Sequence, residues 1–316
     1  MDIVDFDSRY IKQAAKIALQ NYENERRHVP VMPIVETVPD LSSFAENGLG
    51  VAALEDDVLI GFLCVTGPFS NAFRSTNATG VFSPMGANGA IESRRSEIYA
   101  RLYEAAAEKW VKAGASSHTI SLYAHDQAVQ TKFFHYGFGI RCIDAIRNMD
   151  EITNPSCQGY IIRELLTEEF NLIFDLNKQL FDHLKNSPLF MYYPSLDDEK
   201  LMRTINQKAS RYFALFKEKQ IIAYIKITKG GENFICETPD MVNIHGAYCL
   251  PEYRGRGIFQ NLLNFVIQKL KAEGYKRLGV DFESFNPTAY GFWLKYFKAY
   301  THSVVRRIDE YATGIK

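Results

Sequence analysis

The sequence predicts a mixed α/β protein made of two copies of one unit, on three observations. Apolar residues recur at helical spacing in several stretches of the 316 residues, between shorter apolar runs that suit strands. A polar segment, Met149-Asp150-Glu151-Ile152-Thr153-Asn154-Pro155-Ser156-Cys157-Gln158-Gly159, ends the hydrophobic pattern near the midpoint and reads as a linker. The order of signals after it repeats the order before it at an offset of about 160 residues. The expected domains are therefore 1–150 and 151–316.

In the second half, a strand is expected at Tyr160 to Arg163, followed by a helix from Thr167 to Lys185 on which Leu172, Ile173, Leu176, Leu180 and Leu184 share a face. Tyr212 to Phe216 and Ile221 to Thr228 read as a hairpin around Lys217-Glu218-Lys219-Gln220. A strand at Val242 to Leu250 leads to a helix from Gly257 to Glu273 with Ile258, Leu262, Leu263, Val266, Ile267 and Leu270 on one side. Gly274 ends that helix as a left-handed cap. A strand at Leu278 to Phe282 precedes a helix from Pro287 to Phe297, with proline in the first turn and Asn286 as its cap. Ser303 to Ile308 is the last strand.

In the first half, Gly114 answers Gly274, and a helix over Ile98 to Lys112 follows Arg94-Arg95-Ser96-Glu97. A strand at Thr119 to Tyr123 then leads to a helix ending Phe133-Phe134-His135-Tyr136-Gly137-Phe138. Pro84-Met85-Gly86-Ala87-Asn88-Gly89-Ala90 reads as a surface turn, with a loop of the acceptor pocket as the other reading. Asn24-Glu25-Arg26-Arg27-His28 and the many tyrosines are expected on solvated faces.

A hydrophobic fraction of 47%, a charged fraction of 23% and a net charge of -1 fit a globular protein and give no basic excess for nucleic acid. Apolar runs such as Leu59 to Val65 are too short for a membrane span. The acidic start Met1-Asp2-Ile3-Val4-Asp5 differs from a basic signal peptide, so a cytoplasmic protein is expected. Cys64, Cys142, Cys157, Cys236 and Cys249 are an odd set without a CxxC pair, which suggests reduced, small buried residues and no metal site.

The stretch that carries chemistry is Cys249-Leu250-Pro251-Glu252-Tyr253-Arg254-Gly255-Arg256-Gly257-Ile258-Phe259, a strand end and a glycine-containing loop opening an amphipathic helix. Glycines admit a phosphate close to the backbone, converging N–H groups bind it, and the helix N-terminus and two arginines add positive potential. An ordinary tight turn is the alternative.

With Arg254-Gly255-Arg256-Gly257 in this setting, and Asn286-Pro287-Thr288-Ala289-Tyr290-Gly291-Phe292-Trp293 after the next strand, the chain resembles the GNAT superfamily of acyl-CoA N-acyltransferases. Two departures stand out: Phe259 replaces the last small residue of the loop, and Trp293 falls where the family often has tyrosine. The resemblance implies two tandem domains, each a mixed, mainly antiparallel sheet flanked by helices. It implies acetyl-CoA as co-substrate, held by Tyr248, Cys249, Leu250, Arg254, Gly255, Arg256, Gly257, Ile258 and Asn286. Strands flanking the loop helix would splay, and the backbone of Tyr248, Cys249 and Leu250 would bond the pantetheine arm like an added strand.

The implied reaction is direct attack of a neutral amine on the thioester, which needs a base and an acid. Glu283 at a strand end and His245 on the entering strand are the candidate bases, and Tyr296, with Tyr290 beside it, the candidate acid. Cys249 has no His/Asp companion at a spacing that would make it a nucleophile. The acceptor would be a small-molecule or peptide amine. A non-catalytic acyl-CoA sensor or scaffold stays open, as does an aminoacyl or peptidoglycan-type transferase, against which the near-neutral charge argues. In the first half, Arg95 and Glu97 stand where the glycines should be, so coenzyme binding there reads as lost, leaving a role in shaping an acceptor groove.

Overall fold

A computed structural model describes residues 1–75, 77–153, 159–192, 197–207 and 209–309. Residues 154–158 of the expected linker, Cys157 among them, lie outside the described residues. The first half contains β1 (Asp2–Asp5), α1 (Ile11–His28), α2 (Ser42–Glu46), β2 (Val51–Glu55), β3 (Val58–Leu63), β4 (Gly80–Ser83), β5 (Asn88–Ala90), α3 (Arg95–Lys112), β6 (Ser117–Tyr123), α4 (Gln127–His135) and β7 (Gly139–Asn148). The second contains β8 (Tyr160–Glu164), α5 (Phe174–Lys185), α6 (Asp198–Ile205), β9 (Arg211–Lys217), β10 (Gln220–Thr228), β11 (Met241–Cys249), α7 (Ile258–Ala272), β12 (Arg277–Glu283), α8 (Pro287–Tyr296) and β13 (Lys298–Arg307). The chain divides into unit 1, Met1–Asp144 with Phe282–Ser284 and Lys298–Lys316, and unit 2, Ala145–Asp281 with Phe285–Phe297.

Unit 2 holds the sheet order β12-β11-β10-β9-β8. Its pairs are antiparallel except β11 with β12, which is parallel. The six apolar residues expected on one face of α7 are all buried, and the helix packs on β9 and β10. The helix expected from Thr167 instead begins as a 3-10 turn over Thr167–Ile173 before α5. Its entry is fixed by Glu169, whose carboxylate accepts from the Leu166 N–H at 2.9 Å.

Unit 1 has two sheets. One is β1-β2-β3-β5, all antiparallel. The other contains β4, β6 and β13, with β4 parallel to β6 and β13 antiparallel to it from Thr301↔Tyr123 to Arg307↔Ser117. The last strand of the sequence is thus hydrogen-bonded to the first half. Between the sheets lies a core around Trp110, Tyr103, Phe133, Phe138 and Leu102.

The internal repeat is visible residue by residue. β6 and β12 have both ends 160 positions apart, as do the starts of α4 and α8 and the ends of α3 and α7. Gly114 and Gly274 close the two helices with φ of 87° and 93°. The repeat breaks at one strand. In unit 2 β11 is continuous, pairing with β10 and, in its first part, with β12. In unit 1 the counterpart is split into β4, on β6, and β5, on β3, by Pro84 to Ala87.

Three expectations are corrected. Pro84 to Ala90 is not a surface turn: six of its seven residues are buried, and its end is strand β5. Asn24 to His28 is the last turn of α1, and Glu25 points inward, 3% exposed. Tyr22, Tyr99, Tyr103, Tyr212, Tyr224 and Tyr300 are core residues. Amphipathic side chains enter a core wherever the polar end finds a partner, as Tyr22 does by donating to Pro33 O.

His118 in β6 is fully buried between the Tyr103 hydroxyl (3.1 Å) and the Ala115 carbonyl (3.3 Å), and burial pushes its pKa down to about 4. His302 on β13 is also pushed down to about 4, again by burial first. Both groups bind a proton more readily when unfolded, so their contribution to stability is complete above the ordinary histidine value and is lost as pH falls toward about 4. Urea midpoints measured at several pH values should therefore drop on acidification, and the His118→Gln variant should show a shallower drop.

Candidate active site

β11 runs beside β12 only from Met241↔Arg277 to Ile244↔Val280. In this paired stretch the strands are close: a Cβ on Gly279 would lie 2.1 Å from Asn243 Oδ1. Opposite Lys226 and Ile227 the ladder with β10 steps from Gly246 to Ile244, leaving His245 as the extra residue of a bulge. A bulge bends and twists its strand. Past it β11 stays on β10 as far as Cys249↔Ala223, while among the described residues no ladder pair joins 245–249 to β12.

The Leu250 N–H donates to Ile222 O at 2.9 Å and so faces β10. By strand alternation the Tyr248 peptide faces β10 too, and those of Ala247 and Cys249 face the gap. Of the three residues expected to offer backbone, Cys249 is placed to do so. Ala247 joins it, a position that carries no side-chain signal in the sequence.

The gap opens into a cavity of about 460 Å³, lined among others by Ala247, Tyr248, Cys249, Arg254, Gly255 and Gly257. Gly255 and Gly257 have φ of 72° and 74°, left-handed values that favour glycine. Gly257 is the N-cap of α7, and no side chain caps the helix. The first-turn N–H groups of this 15-residue helix therefore lack intrahelical acceptors, and its dipole favours an anion there. Ile258 is buried beneath the loop and anchors it to the core, and Arg256 is exposed. Arg254 turns back: its Nε donates to Cys249 O at 2.8 Å and its guanidinium lies 5.2 Å from the Tyr248 ring centre.

The far wall is α8. Asn286 is buried and caps it, Oδ1 accepting from Ala289 N (3.3 Å) and Thr288 Oγ1 (2.7 Å). The Phe259 ring leans on Phe292 and Trp293, at 5.0 and 6.1 Å between ring centres. Trp293 is 6% exposed and packs edge-on against Phe297. Tyr296 lines the cavity, and burial raises its phenol above the ordinary value against the opposing charge of Arg147. Burial also pushes the Cys249 thiol up to about 11, which keeps it protonated at neutral pH.

The other two catalytic candidates are outside this lining. His245 is exposed at the bulge, and partial desolvation, then the Lys226 ammonium, hold its imidazole below the usual histidine value. Glu283 is paired with Arg141, Oε2 to Nε at 3.0 Å. A residue that sequence reasoning passed over, His183 in the last turn of α5, does line the cavity, 3.5 Å from Thr288 Oγ1. Desolvation lowers its pKa, and no motif marks it in the sequence. Among the described residues there is no cluster of three or more His, Cys, Asp or Glu able to hold a metal ion, and no helix long and apolar enough to cross a membrane.

Unit 1 keeps the frame of this site with different chemistry. Arg95 stands 160 positions before Gly255, and Arg94 takes the left-handed N-cap of α3 with φ of 55°. The Arg95 Nη1 is tied at 3.1 Å to Asp126, which caps α4 as Asn286 caps α8. Glu97, expected to face the anion site, is exposed and outside the cavity there; Glu25, Glu92 and Asp126 are carboxylates in its lining.

A parallel strand pair whose ladder ends beside a glycine loop at a helix N-terminus is an α/β arrangement that can receive an anion. The model of the acetyltransferase (GNAT) family matches residues 177–298. The match covers α7, β12 and α8, and this part of the chain is similar to the GNAT superfamily. No curated protein matches the sequence. Among solved structures, a GCN5-related N-acetyltransferase from Sphaerobacter thermophilus shares the fold at a TM-score of 0.58 and 12% identity, over 96% of this chain and 95% of that one. A GCN5-related glucosamine N-acetyltransferase region of a fungal multi-domain GH3 β-N-acetylglucosaminidase gives 0.51 and 11%, over 96% of this chain and 38% of that one.

Proposed function

We propose that unit 2 is an acetyl-CoA-dependent N-acyltransferase that passes an acetyl or similar acyl group to the amine of a small molecule or peptide in the cytoplasm. The observation that carries this reading is the edge of β11 at Ala247 and Cys249, which no ladder pair among the described residues joins to β12 and which opens into the same cavity as the glycine loop. The diphosphate would rest on the N–H groups between Gly255 and Gln260, and the pantetheine arm would run along the β11 edge. A Cys249 or Ala247 N–H would polarise the thioester carbonyl.

His245 lies two residues before Ala247 on the strand, and desolvation and the Lys226 ammonium hold its imidazole below the usual histidine value, so it is the base of choice for the incoming ammonium, directly or through water. Glu283 is less suited, because its carboxylate is held in an ion pair with Arg141 and is not in the cavity lining. Tyr296, a phenol in the cavity lining, would return a proton to the departing thiolate.

A rise in the thermal midpoint with acetyl-CoA, followed by free-thiol release against an amine panel, tests the proposal. His245→Gln should lower kcat by about a hundredfold with little change in acetyl-CoA affinity. Because the His245 pKa is depressed, the acid limb of kcat/KM in the wild type should lie below the ordinary histidine range and disappear in the variant. An unchanged rate and profile in His245→Gln would remove the residue from this role.

The second reading is a coenzyme-binding sensor without turnover. It is favoured by Trp293, an indole packed into an aromatic cluster where the resemblance expects a phenol. Midpoint rise with acetyl-CoA but no thiol release with any amine would select it.

A further inference from the structure

Lys226 is a buried cation that the proposed reaction leaves without a task. It lies on β10 and is 5% exposed. Charges so far from water are ordinarily paired. Among the described residues Lys226 enters no ion pair: its Nζ donates to Gln207 Oε1 at 3.3 Å and lies 5.9 Å from the centre of the Tyr212 ring. An amide oxygen and a ring face both favour the charged form, against burial, which lowers the lysine pKa.

The register of the sheet decides what this charge acts on. Two residues of a bulged strand oppose one on the neighbouring strand. Lys226 pairs with Gly246 and Ile227 with Ile244, so His245 and Gly246 together oppose Lys226. Opposed residues of an antiparallel pair have Cα atoms about 5 Å apart. Gly246 adds no side chain beside the lysine, where a Cβ would lie 3.7 Å from the Lys226 Cβ. Among the described residues, the charged groups acting on His245 are Lys226 on β10 and Glu232 ahead of β11, which act in opposite directions. Glu232 is exposed, and water screens it more than it screens a buried ammonium, so the positive charge prevails at the imidazole.

We propose that Lys226 is a positioning residue for the transfer step: its ammonium, set opposite the bulge, keeps the resting His245 imidazole free of a proton, ready to act as a base. In that step one proton passes from the acceptor ammonium to the imidazole, leaving a neutral amine to attack the thioester, and the same positive charge then favours release of the proton from the imidazolium to water. Lys226 touches no substrate in this role, which suits its burial. The inference rests on the reading of His245 as the base, but the coupling of the two side chains belongs to the resting chain and is measured without coenzyme or acceptor.

The test is an NMR titration of the imidazole signals in the full chain with labelled histidine and no ligand, the His245 signal being the one missing from His245→Gln. In the wild type it should titrate below the ordinary histidine value of about 6.5. Lys226→Met keeps the bulk of the stem and removes the charge, and should raise the midpoint by about half a unit or more; Lys226→Arg keeps the charge and should move it much less. Lys226→Gln supplies a second neutral side chain where Lys226→Met does not fold. The acid limb of kcat/KM should follow the imidazole signal in each neutral variant. The proposal is overturned by a wild-type midpoint at or above the ordinary value, by a midpoint that the neutral variants leave in place, or by an equal rise in Lys226→Arg, which would make packing the cause. A shifted imidazole signal in a wild-type chain that releases no thiol with any amine upholds the coupling and removes the transferase reading.

Discussion

Replacement of Gly257 by glutamate is expected to abolish acetyl-CoA binding while the chain remains folded. Gly257 sits at φ of 74° as the N-cap of α7, so any side chain there carries left-handed strain of about 1–2 kcal/mol, which a domain with an intact core survives. The added carboxylate itself suits the helix terminus and so adds little further destabilisation. It destroys the anion site, placing negative charge where the diphosphate must approach and a Cβ where bare backbone is needed. Isothermal titration should show affinity falling by about a hundredfold or more, equivalent to about 3 kcal/mol or more. Unaltered affinity in a folded Gly257→Glu protein would place the coenzyme elsewhere.

The largest expected loss of stability is at Trp110. Its side chain is fully buried in unit 1, edge-on to His118 at 5.0 Å and to Tyr103 at 5.9 Å, with the indole N–H donating to Leu49 O at 3.0 Å. Trp110→Ala empties the centre of that core and leaves a buried carbonyl without its donor. The expected cost is about 3–5 kcal/mol, with Trp110→Phe much milder because a ring remains. Circular dichroism during urea unfolding measures it. A loss under about 1 kcal/mol would mean that the core closes over the gap.

Second-half elements were legible where local chemistry and tertiary packing agree. α7 shows its six apolar positions, its glycine start and its glycine stop directly in the sequence, and Asn286-Pro287 announces α8. α1 was not legible because its buried face includes Asn21 and Glu25, whose partners, Ala90 and His125, are far away in sequence. Alternation marks β13 as a strand but says nothing of its partner, which proves to be β6. The loop of the site is equally local, and Gly255 and Gly257 adopt the left-handed backbone their residue type favours. The bulge at His245 is not, since it depends on the register between β10 and β11. Nor is the placement of Glu283, which is decided by Arg141, 142 positions earlier.

The most direct measurement is amide hydrogen exchange of the whole chain with and without acetyl-CoA. Slowed exchange should be confined to unit 2, at the Ala247 and Cys249 amides and those between Gly255 and Gln260, with the start of α3 in unit 1 unaffected. Saturating acetyl-CoA that leaves these amides as fast as before, or protects the Arg94 to Ile98 segment instead, would contradict the account.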